Sequence, residues 1–438
     1  MKSFVVQSKA RPILSAASKL RIQNYFAGLT SATREKRWLE TSNRYRITCT
    51  KTFEQDVKRA EKRGKALSAE KCVDLTAYIG ASSPAHIIDG WSFIGRAIDS
   101  AMRGDTYSAA HFAYYAELRA AMALLASEGI GIFNGKHAIV ELTKITPFPT
   151  KSRQGTHQLI WPVFRFWSSL RRATDLLDEL IQPEQIRLSN WLNKRKTSVS
   201  VRAVAQKWLS NWGIDLNSIQ EDHHVRNLAS YRPSQFRRPV TLDTAKLAEF
   251  ISSLWNLFEP GKERRFQNIE RQLLLSAWRM DGEPAPQIEE IEQVGLSPIE
   301  AKNWVKFLTS SEISKPLFYA EETAPIEDST CHLRMISRAA LLLFVASGAA
   351  RQLLTKAGYS VDTIAFWWKQ HGEERGLWSP NKFPDDPLDA WADVAESIEK
   401  LILQGSQGST SLHELMQSQH GFSKLGAFEL VGIWSLLP

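Results

Sequence analysis

The chain has 438 residues, of which 43% are hydrophobic and 23% are charged, and its formal net charge at pH 7 is +8. Because a chain of this length rarely folds around a single hydrophobic core, two or three domains are expected. Its three cysteines are too few for a disulfide framework and form no pair with zinc-ligand spacing, which argues against a disulfide-rich secreted protein and a structural zinc site.

The charge is distributed unevenly along the chain. Residues 1–65 hold sixteen Lys and Arg against five Asp and Glu, and residues 151–239 hold fifteen against seven. By contrast, residues 281–330 hold eleven acidic and three basic residues. Because Lys and Arg attract phosphate groups whatever the base sequence, the two basic segments are candidates for contact with a nucleic acid. The alternative is a solvated basic arm combined with an acidic surface elsewhere.

The sequence predicts a mainly α-helical fold with one small β-hairpin. Residues 105–129 have the strongest helical pattern, because Asp105 or Thr106 can cap the start, a glycine can end the helix, and apolar residues recur at helical spacing. The pair Asn134-Gly135 then lies between two short β-prone runs. This arrangement predicts a two-residue β-hairpin.

The second half of the chain is also predicted to be helical. Ser297, Pro298 and Glu300 form the pattern of a capping box at a helix start. The apolar run at 339–350 is shorter than the ~20 residues that cross a bilayer, so a buried helix is expected there. The N-terminus has no apolar stretch long enough for a signal peptide. We therefore expect a cytoplasmic protein with no membrane partner.

Two prolines among the arginines of RPSQFRRPV, at 232–240, predict a domain boundary. The expected segments are a basic N-terminal helical region (1–84), a first helical domain (85–235), a second helical domain (240–403) and a C-terminal hydrophobic segment (411–438).

Residues 222–233, DHHVRNLASYRP, concentrate polar side chains on what we predict to be one helix. Since residues three and four apart are neighbours on a helix surface, five polar side chains share a face: His223, Arg226, Asn227, Ser230 and Tyr231. An arginine can bind phosphate through its planar guanidinium, and a histidine can transfer a proton near neutral pH. Cleavage of a phosphodiester by a 2′-hydroxyl needs this positioning, charge stabilisation and proton transfer.

The sequence RNLASY, at 226–231, resembles the Arg-x4–6-His motif of HEPN domains, which are helical modules of ribonuclease toxins and prokaryotic defence proteins. Tyr231 stands where that family has its histidine, and His223 or His224, at most one turn before the arginine, is the candidate replacement. The resemblance covers residues 85–235 and implies a HEPN-like helical bundle. It also implies a homodimer with a shared site, in which metal-independent endoribonuclease activity would need no cofactor.

On this interpretation Arg226 binds the scissile phosphate, His223 or His224 carries the proton, and Tyr231, Asn227 and Ser230 position the substrate. A second candidate stretch, FRFWSSLRR at 164–172, interleaves aromatic residues with arginines. It suits base stacking and phosphate contact, with the substrate-binding candidates Arg165, Arg171 and Arg172. Helical phase offers another interpretation, in which the aromatic residues lie in the core and the arginines outside.

The function that these patterns predict is RNA binding, with RNA preferred to DNA. Endoribonuclease activity in a toxin or anti-phage defence setting is implied by the resemblance alone. The alternative is a catalytically inert helical interaction subunit that holds a protein partner. In that case the polar face at Arg226 is solvated or fixes a neighbouring segment through hydrogen bonds. Neither a metal ion nor a cofactor is expected.

Overall fold

The computed structural model describes residues 8–29, 73–133, 136–148, 155–193, 199–213, 244–261, 265–280, 286–322, 330–406 and 424–438, and positions 55, 58–59, 62–63 and 67–68. The helix predicted to carry DHHVRNLASYRP lies outside these residues, and so does the boundary predicted at 232–240.

The described residues are mainly α-helical, as predicted. In the first half of the chain the helices are α1 (Ala10–Ser15), α2 (Lys19–Ala27), α3 (Val73–Met102), α4 (Thr106–Ser127), α5 (Thr156–Ser168), α6 (Arg171–Leu180), α7 (Leu188–Asn193) and α8 (Val201–Trp212). In the second half they are α9 (Thr244–Leu257), α10 (Gln267–Arg279), α11 (Ile288–Glu292), α12 (Pro298–Ser310), α13 (Lys315–Glu321), α14 (Cys331–Lys356), α15 (Ala365–Glu374), α16 (Pro387–Ser406) and α17 (Glu429–Leu436). Short 3-10 turns occupy Pro183–Gln185 and Asp362–Ile364.

Local sequence signals set several of these boundaries. The Asp105 carboxylate accepts a hydrogen bond of 3.0 Å from the Ser108 amide and so caps α4. Beyond the other end of α4, Gly129 has a φ of 84°, a conformation that favours glycine. At the start of α12, the Ser297 hydroxyl and the Glu300 carboxylate form the predicted capping box.

Three strands of a small antiparallel sheet follow α4, and the first strand precedes α3. Its strands are β1 (Leu67–Ser68), β2 (Ile130–Phe133), β3 (Lys136–Val140) and β4 (Lys144–Pro147), in the order β1-β4-β3-β2. Phe133 pairs with Lys136, so β2 and β3 are joined by two residues. The predicted hairpin is therefore confirmed.

Helices α3, α4 and α14 form the centre of the core. They pack against one another, and alanines supply much of the buried surface of α4. A Cβ on Gly90 of α3 would overlap the Leu343 side chain of α14, so the glycine permits close approach of the two helices. Each fully buried aliphatic side chain in such a core contributes ~1.5–3 kcal/mol relative to exposure.

The predicted buried helix at 339–350 is confirmed within α14. By length and composition α14 is the one described helix that could span a membrane. However, 89% of its most apolar window is buried inside the protein, as in the core helix of a soluble protein.

The N-terminal and C-terminal segments both dock on this core. The Ser18 amide donates to the Val140 carbonyl of β3 at 2.8 Å, and the Tyr359 hydroxyl donates to the Phe26 carbonyl at the end of α2. At the other end of the chain, the Trp255 indole donates to the Leu425 carbonyl at 3.1 Å. The described part of the predicted C-terminal segment is thus buried against the helices.

The predicted segments share one continuous set of buried apolar residues. The boundary expected between residues 84 and 85 falls inside α3, which runs through Pro84. Furthermore, α14, from the predicted second domain, packs along α4, from the predicted first domain. In the described residues, the segment boundary at 84 therefore does not mark a break in the structure.

Candidate nucleic-acid interface

Six of the nine predicted site residues lie outside the described residues: His223, His224, Arg226, Asn227, Ser230 and Tyr231. The other three, Arg165, Arg171 and Arg172, lie near the junction of α5 and α6. The stretch FRFWSSLRR therefore supplies the predicted contacts whose positions the structure gives.

The packing of α5 explains which side chains of this stretch face outward. Trp161, Phe164 and Trp167 are all buried, and they follow one another at spacings of three residues along the inner face of the helix. This phase leaves Arg165 exposed in the last turn and Phe166 half-buried beside it. For Phe164 and Trp167 the structure thus agrees with the interpretation that places the aromatic residues in the core.

Arg172 has a structural role that the sequence did not predict. Its guanidinium donates to the Ala17 carbonyl at 2.9 Å and to the Ser15 carbonyl at 2.6 Å. The same group lies 3.3 Å from the carboxylate of Glu128, whose side chain is 3% exposed. Because these three acceptors engage the guanidinium, Arg172 holds the end of α1 against α6, and a phosphate that bound Arg172 would have to displace them.

Arg171, the neighbouring residue, is in the opposite situation. Its side chain is 92% exposed and lies 3.7 Å from Asp175, which is itself 58% exposed. Such a solvated pair on one helix is weak, so the guanidinium can exchange Asp175 for a phosphate. Arg171 therefore keeps the geometry required of a phosphate contact.

Residues from the other basic segment, 1–65, lie beside the end of α5. The Arg11 guanidinium of α1 lies 5.8 Å from the centre of the Phe166 ring, and both Arg11 and Lys9, two residues earlier in the chain, are exposed. Phe166 directly follows Arg165 in the sequence. The structure therefore brings described parts of the two basic segments, 1–65 and 151–239, onto one surface. We call Lys9, Arg11, Arg165 and Arg171 the basic surface.

Lys9 and Arg11 were not singled out from the sequence as contact residues. The available signal was the excess of Lys and Arg in residues 1–65, which gives a segment and no particular side chain. Lys9 and Arg11 lie near α5 only because α1 packs on that helix. Since Arg11 and Phe166 are far apart in the chain, no local sequence pattern could indicate this contact.

A buried ion pair connects α4 with α14. Glu117 is fully buried, and its carboxylate lies 3.1 Å from the Arg338 guanidinium. On the same helix, Arg119 lies 3.6 Å from Asp89 and 3.0 Å from the Nδ1 atom of His86. These partners belong to α3 and α14, so the charged residues of α4 bind the central helices together.

An aromatic group lies where α4 meets the start of α5. The Tyr114 hydroxyl is 2.7 Å from the His157 Nδ1 atom, and the two rings are stacked. Tyr115 contacts both His111 and Phe93. Because Tyr114 is 2% exposed, this hydroxyl–imidazole contact stabilises the packing of α5 on α4.

The described residues contain no group of three or more His, Cys, Asp or Glu side chains that could hold a metal ion. Comparisons of the chain with protein-family models, with curated proteins and with solved structures found no match. The resemblance to HEPN domains therefore rests on the sequence of residues 226–231, and the basic surface rests on geometry.

Proposed function

We propose that this protein binds RNA through the basic surface formed by Lys9, Arg11, Arg165 and Arg171. The observation that carries the proposal is the meeting of two basic segments at the α1–α5–α6 junction, where these four cations are exposed. The Asp175 carboxylate lies beside Arg171. Exposed Lys and Arg side chains attract a phosphate backbone whatever its base sequence.

The binding chemistry would be mainly electrostatic. Each Lys or Arg that contacts a phosphate releases condensed counterions, so affinity falls as salt rises. The Arg11 guanidinium over the half-buried Phe166 ring is held in place by a cation–π contact. That contact reduces the entropy that Arg11 loses when it binds a phosphate, because its side chain is already ordered.

We further propose that the bound RNA is cleaved at the polar face of residues 222–233. There Arg226 would bind the scissile phosphate, and His223 or His224 would transfer the proton, with Asn227, Ser230 and Tyr231 around the substrate. The HEPN resemblance supports a homodimer and a defence or toxin role in the cytoplasm, where RNA is found. RNA is preferred to DNA in this proposal, because cleavage of this type uses the 2′-hydroxyl as nucleophile.

One observation favours the alternative function, an inert interaction subunit. Arg172, one of the three predicted contacts whose position is described, is used to bind α1 and Glu128. If the arginines of this region serve mainly to pack α1 against α6, the same helices can form a contact surface for a protein partner. The two functions differ in whether RNA binds at all.

The test measures binding of a fluorescein-labelled single-stranded RNA of 20 nucleotides by anisotropy, at salt concentrations between 50 and 200 mM. We expect the logarithm of affinity to fall linearly with the logarithm of salt concentration. Each of Arg11→Gln, Arg165→Gln and Arg171→Gln should weaken binding and reduce this slope by about 0.7, the value for one lost phosphate contact on a single strand. DNA of the same sequence should not be cleaved, because it lacks the 2′-hydroxyl that acts as nucleophile.

Lys302→Gln is the matched control, because Lys302 is an exposed cation of α12, in the acidic part of the chain. It removes the same charge and should leave affinity and slope unchanged. An equal effect of Lys302→Gln and Arg171→Gln, or no binding at 50 mM salt, would reject the basic surface. Incubation of the same RNA with wild type and with Arg226→Ala tests cleavage. Cleavage by the wild type that is lost in Arg226→Ala supports the cleavage site, and an RNA left intact by the wild type rejects it. Absence of RNA binding supports the inert subunit.

A further inference from the structure

A cavity of about 250 Å³ lies between the 3-10 turn Pro183–Gln185 and the first turns of α10. We call it the polar cavity, because seven of the eight described residues that line it are polar. It shares no residue with the basic surface. A ligand of this cavity would therefore be held by hydrogen bonds and charges more than by apolar contact.

Arg271 of α10 is held in position at this cavity by two aromatic rings. Its guanidinium carbon lies 4.7 Å from the centre of the Trp304 ring and 4.8 Å from the centre of the Phe307 ring, both on α12. The side chain is half-buried. Within the described part of the chain, its guanidinium has neither a hydrogen-bond acceptor nor an ion-pair partner. A guanidinium fixed by stacking therefore offers its N–H donors to a ligand.

The turn that lines the cavity has an unusual backbone. Glu184 and Gln185 have φ angles of 53° and 62°, in the left-handed region that favours glycine. Such a conformation persists only where neighbouring contacts hold it, and it is frequent at ligand sites. The Trp191 indole provides one of these contacts, because it donates to the Pro183 carbonyl at 3.2 Å.

The turn and Arg271 contact the same pair of tryptophans. The rings of Trp191 and Trp304 lie 4.8 Å apart, and both are buried. Trp191 is hydrogen-bonded to the turn, and Trp304 lies against the Arg271 guanidinium. Because close-packed indoles have little freedom to move, the turn and the guanidinium keep a fixed relation before any ligand binds. A site ordered in advance loses less entropy on binding.

Another wall of the cavity is a neutral ion pair. Arg265 and Glu270 form a two-point ion pair, with donor–acceptor distances of 3.0 and 2.6 Å. The Gln182 backbone amide also donates to the Glu270 carboxylate at 2.9 Å. Burial raises the pKa of Glu270, and this rise is opposed by Arg265 and by Arg351, which lies outside the lining. The two paired residues add no net charge to the cavity.

Two further charges of opposite sign belong to the lining. Arg271 is the cation, and Glu184, an exposed residue of the turn, is the anion. Among the described residues, neither forms an ion pair with the other or with a third group. A ligand that satisfies both would carry a carboxylate for the guanidinium and a cation for the Glu184 carboxylate. The side-chain amides of Gln185 and Gln267 also line the cavity, and an amide can bond either group.

We propose that the polar cavity binds a free α-amino acid as its zwitterion, with the α-carboxylate at Arg271 and the α-ammonium group at Glu184. The charges of the lining sum to zero, which favours a ligand without net charge. The two unpaired charges favour a zwitterion over an uncharged molecule. Drug-sized ligands occupy sites of about 300 Å³ or more, so the smaller cavity suits a molecule of this size. The site goes beyond RNA binding and does not depend on it.

Saturation-transfer NMR of the full chain with each common α-amino acid tests the site, and calorimetric titration measures the affinity of the tightest. We expect at least one to bind with a Kd below about 1 mM. Two analogues of that amino acid are the controls for charge. The carboxamide lacks the carboxylate and should bind about tenfold more weakly, as loss of a charged hydrogen bond predicts. The desamino acid lacks the ammonium group and should bind about threefold more weakly, because Glu184 is exposed.

Two variants and one control locate the binding. Arg271→Gln should weaken the amino acid about tenfold and leave the carboxamide unaffected. Glu184→Gln should weaken the amino acid about threefold and leave the desamino acid unaffected. Lys302→Gln should change none of these affinities, because Lys302 is an exposed cation on the side of α12 opposite Trp304.

Circular dichroism checks that each variant remains folded. Failure of every amino acid to bind the wild type would overturn the proposal. Equal affinities of the amino acid and its carboxamide, or unchanged affinity in folded Arg271→Gln protein, would also overturn it. Glu184→Gln changes only an exposed side chain, so unchanged affinity in that variant counts against the site even where Arg271→Gln does not fold. RNA binding by the same samples reports separately on the basic surface, so failure of one proposal does not imply failure of the other.

Discussion

Adjacent arginines at the start of α6 should respond in opposite ways to the same substitution. Arg172→Gln removes the charged donor to the Ala17 and Ser15 carbonyls and the cation beside the buried Glu128 carboxylate. Arg171→Gln removes only a solvated pair with Asp175. We therefore expect a large loss of stability for Arg172→Gln and almost none for Arg171→Gln.

The magnitude for Arg172 follows from its exposure and its partners. Removing one member of a buried ion pair costs ~3–5 kcal/mol. The Arg172 side chain is 28% exposed, so water reaches part of the site and reduces this value. Water can also replace the donor at Ser15, which is exposed. We expect the free energy of unfolding to fall by about 2–4 kcal/mol for Arg172→Gln and by less than about 0.5 kcal/mol for Arg171→Gln.

Urea denaturation at pH 7 and 25 °C, followed by circular dichroism, measures both differences. Adding Glu128→Gln to Arg172→Gln removes the stranded carboxylate, so the double variant should recover at least about 1 kcal/mol of the loss. Equal stabilities of the two single variants would refute the assignment of Arg172 to folding. So would a double variant less stable than Arg172→Gln alone, because Glu128 would then have another stabilising role.

Two further predictions concern buried charges on the central helices. Burial raises the pKa of Asp99 to about 6, so ionisation disfavours the folded state, and the free energy of unfolding should fall as pH rises from about 4 to about 6. Asp99→Asn should remove that fall and be more stable than the wild type at pH 7 by about 1–3 kcal/mol; a difference that does not vary between pH 4 and 7 in urea denaturation would contradict this. Glu117→Ala takes away the buried carboxylate 3.1 Å from Arg338 and should cost about 3–5 kcal/mol, whereas Glu117→Leu combined with Arg338→Met should restore most of it. A double variant as unstable as Glu117→Ala would show that the ion pair does not account for the loss.

Structural features that depend on residues close together in the chain were predicted well from the sequence. The capping box of Ser297 and Glu300, the Asp105 cap and the hairpin around residues 134–135 are each specified by neighbours in the chain. The apolar run at 339–350 was identified as a buried helix because its composition requires burial and the run itself is too short to span a bilayer. In each case the residues that form the hydrogen bonds, or that have to be buried, are neighbours in the sequence.

The different roles of Arg171 and Arg172 were decided by tertiary structure. Both are arginines in one basic run, and the sequence treats them alike. Only the docking of α1 places the Ser15 and Ala17 carbonyls within reach of Arg172, while Arg171 points to solvent. The same docking brings Arg11 over Phe166. These contacts join residues about 155 positions apart in the chain, so they depend on the packing of distant helices.

A cavity among α6, α10, α14 and α17 shows the same division between sequence and structure. Residues 344–356 have helical spacing in the sequence, and the change from Phe344 to Arg351 and Lys356 can be read there. The sequence determined that these side chains share a helix face, because that follows from 3.6 residues per turn. Only the tertiary structure decided that Leu180, Arg265 and Glu270 stand opposite them, since α6, α10 and α14 are brought together by burial of apolar surface that no local pattern specifies.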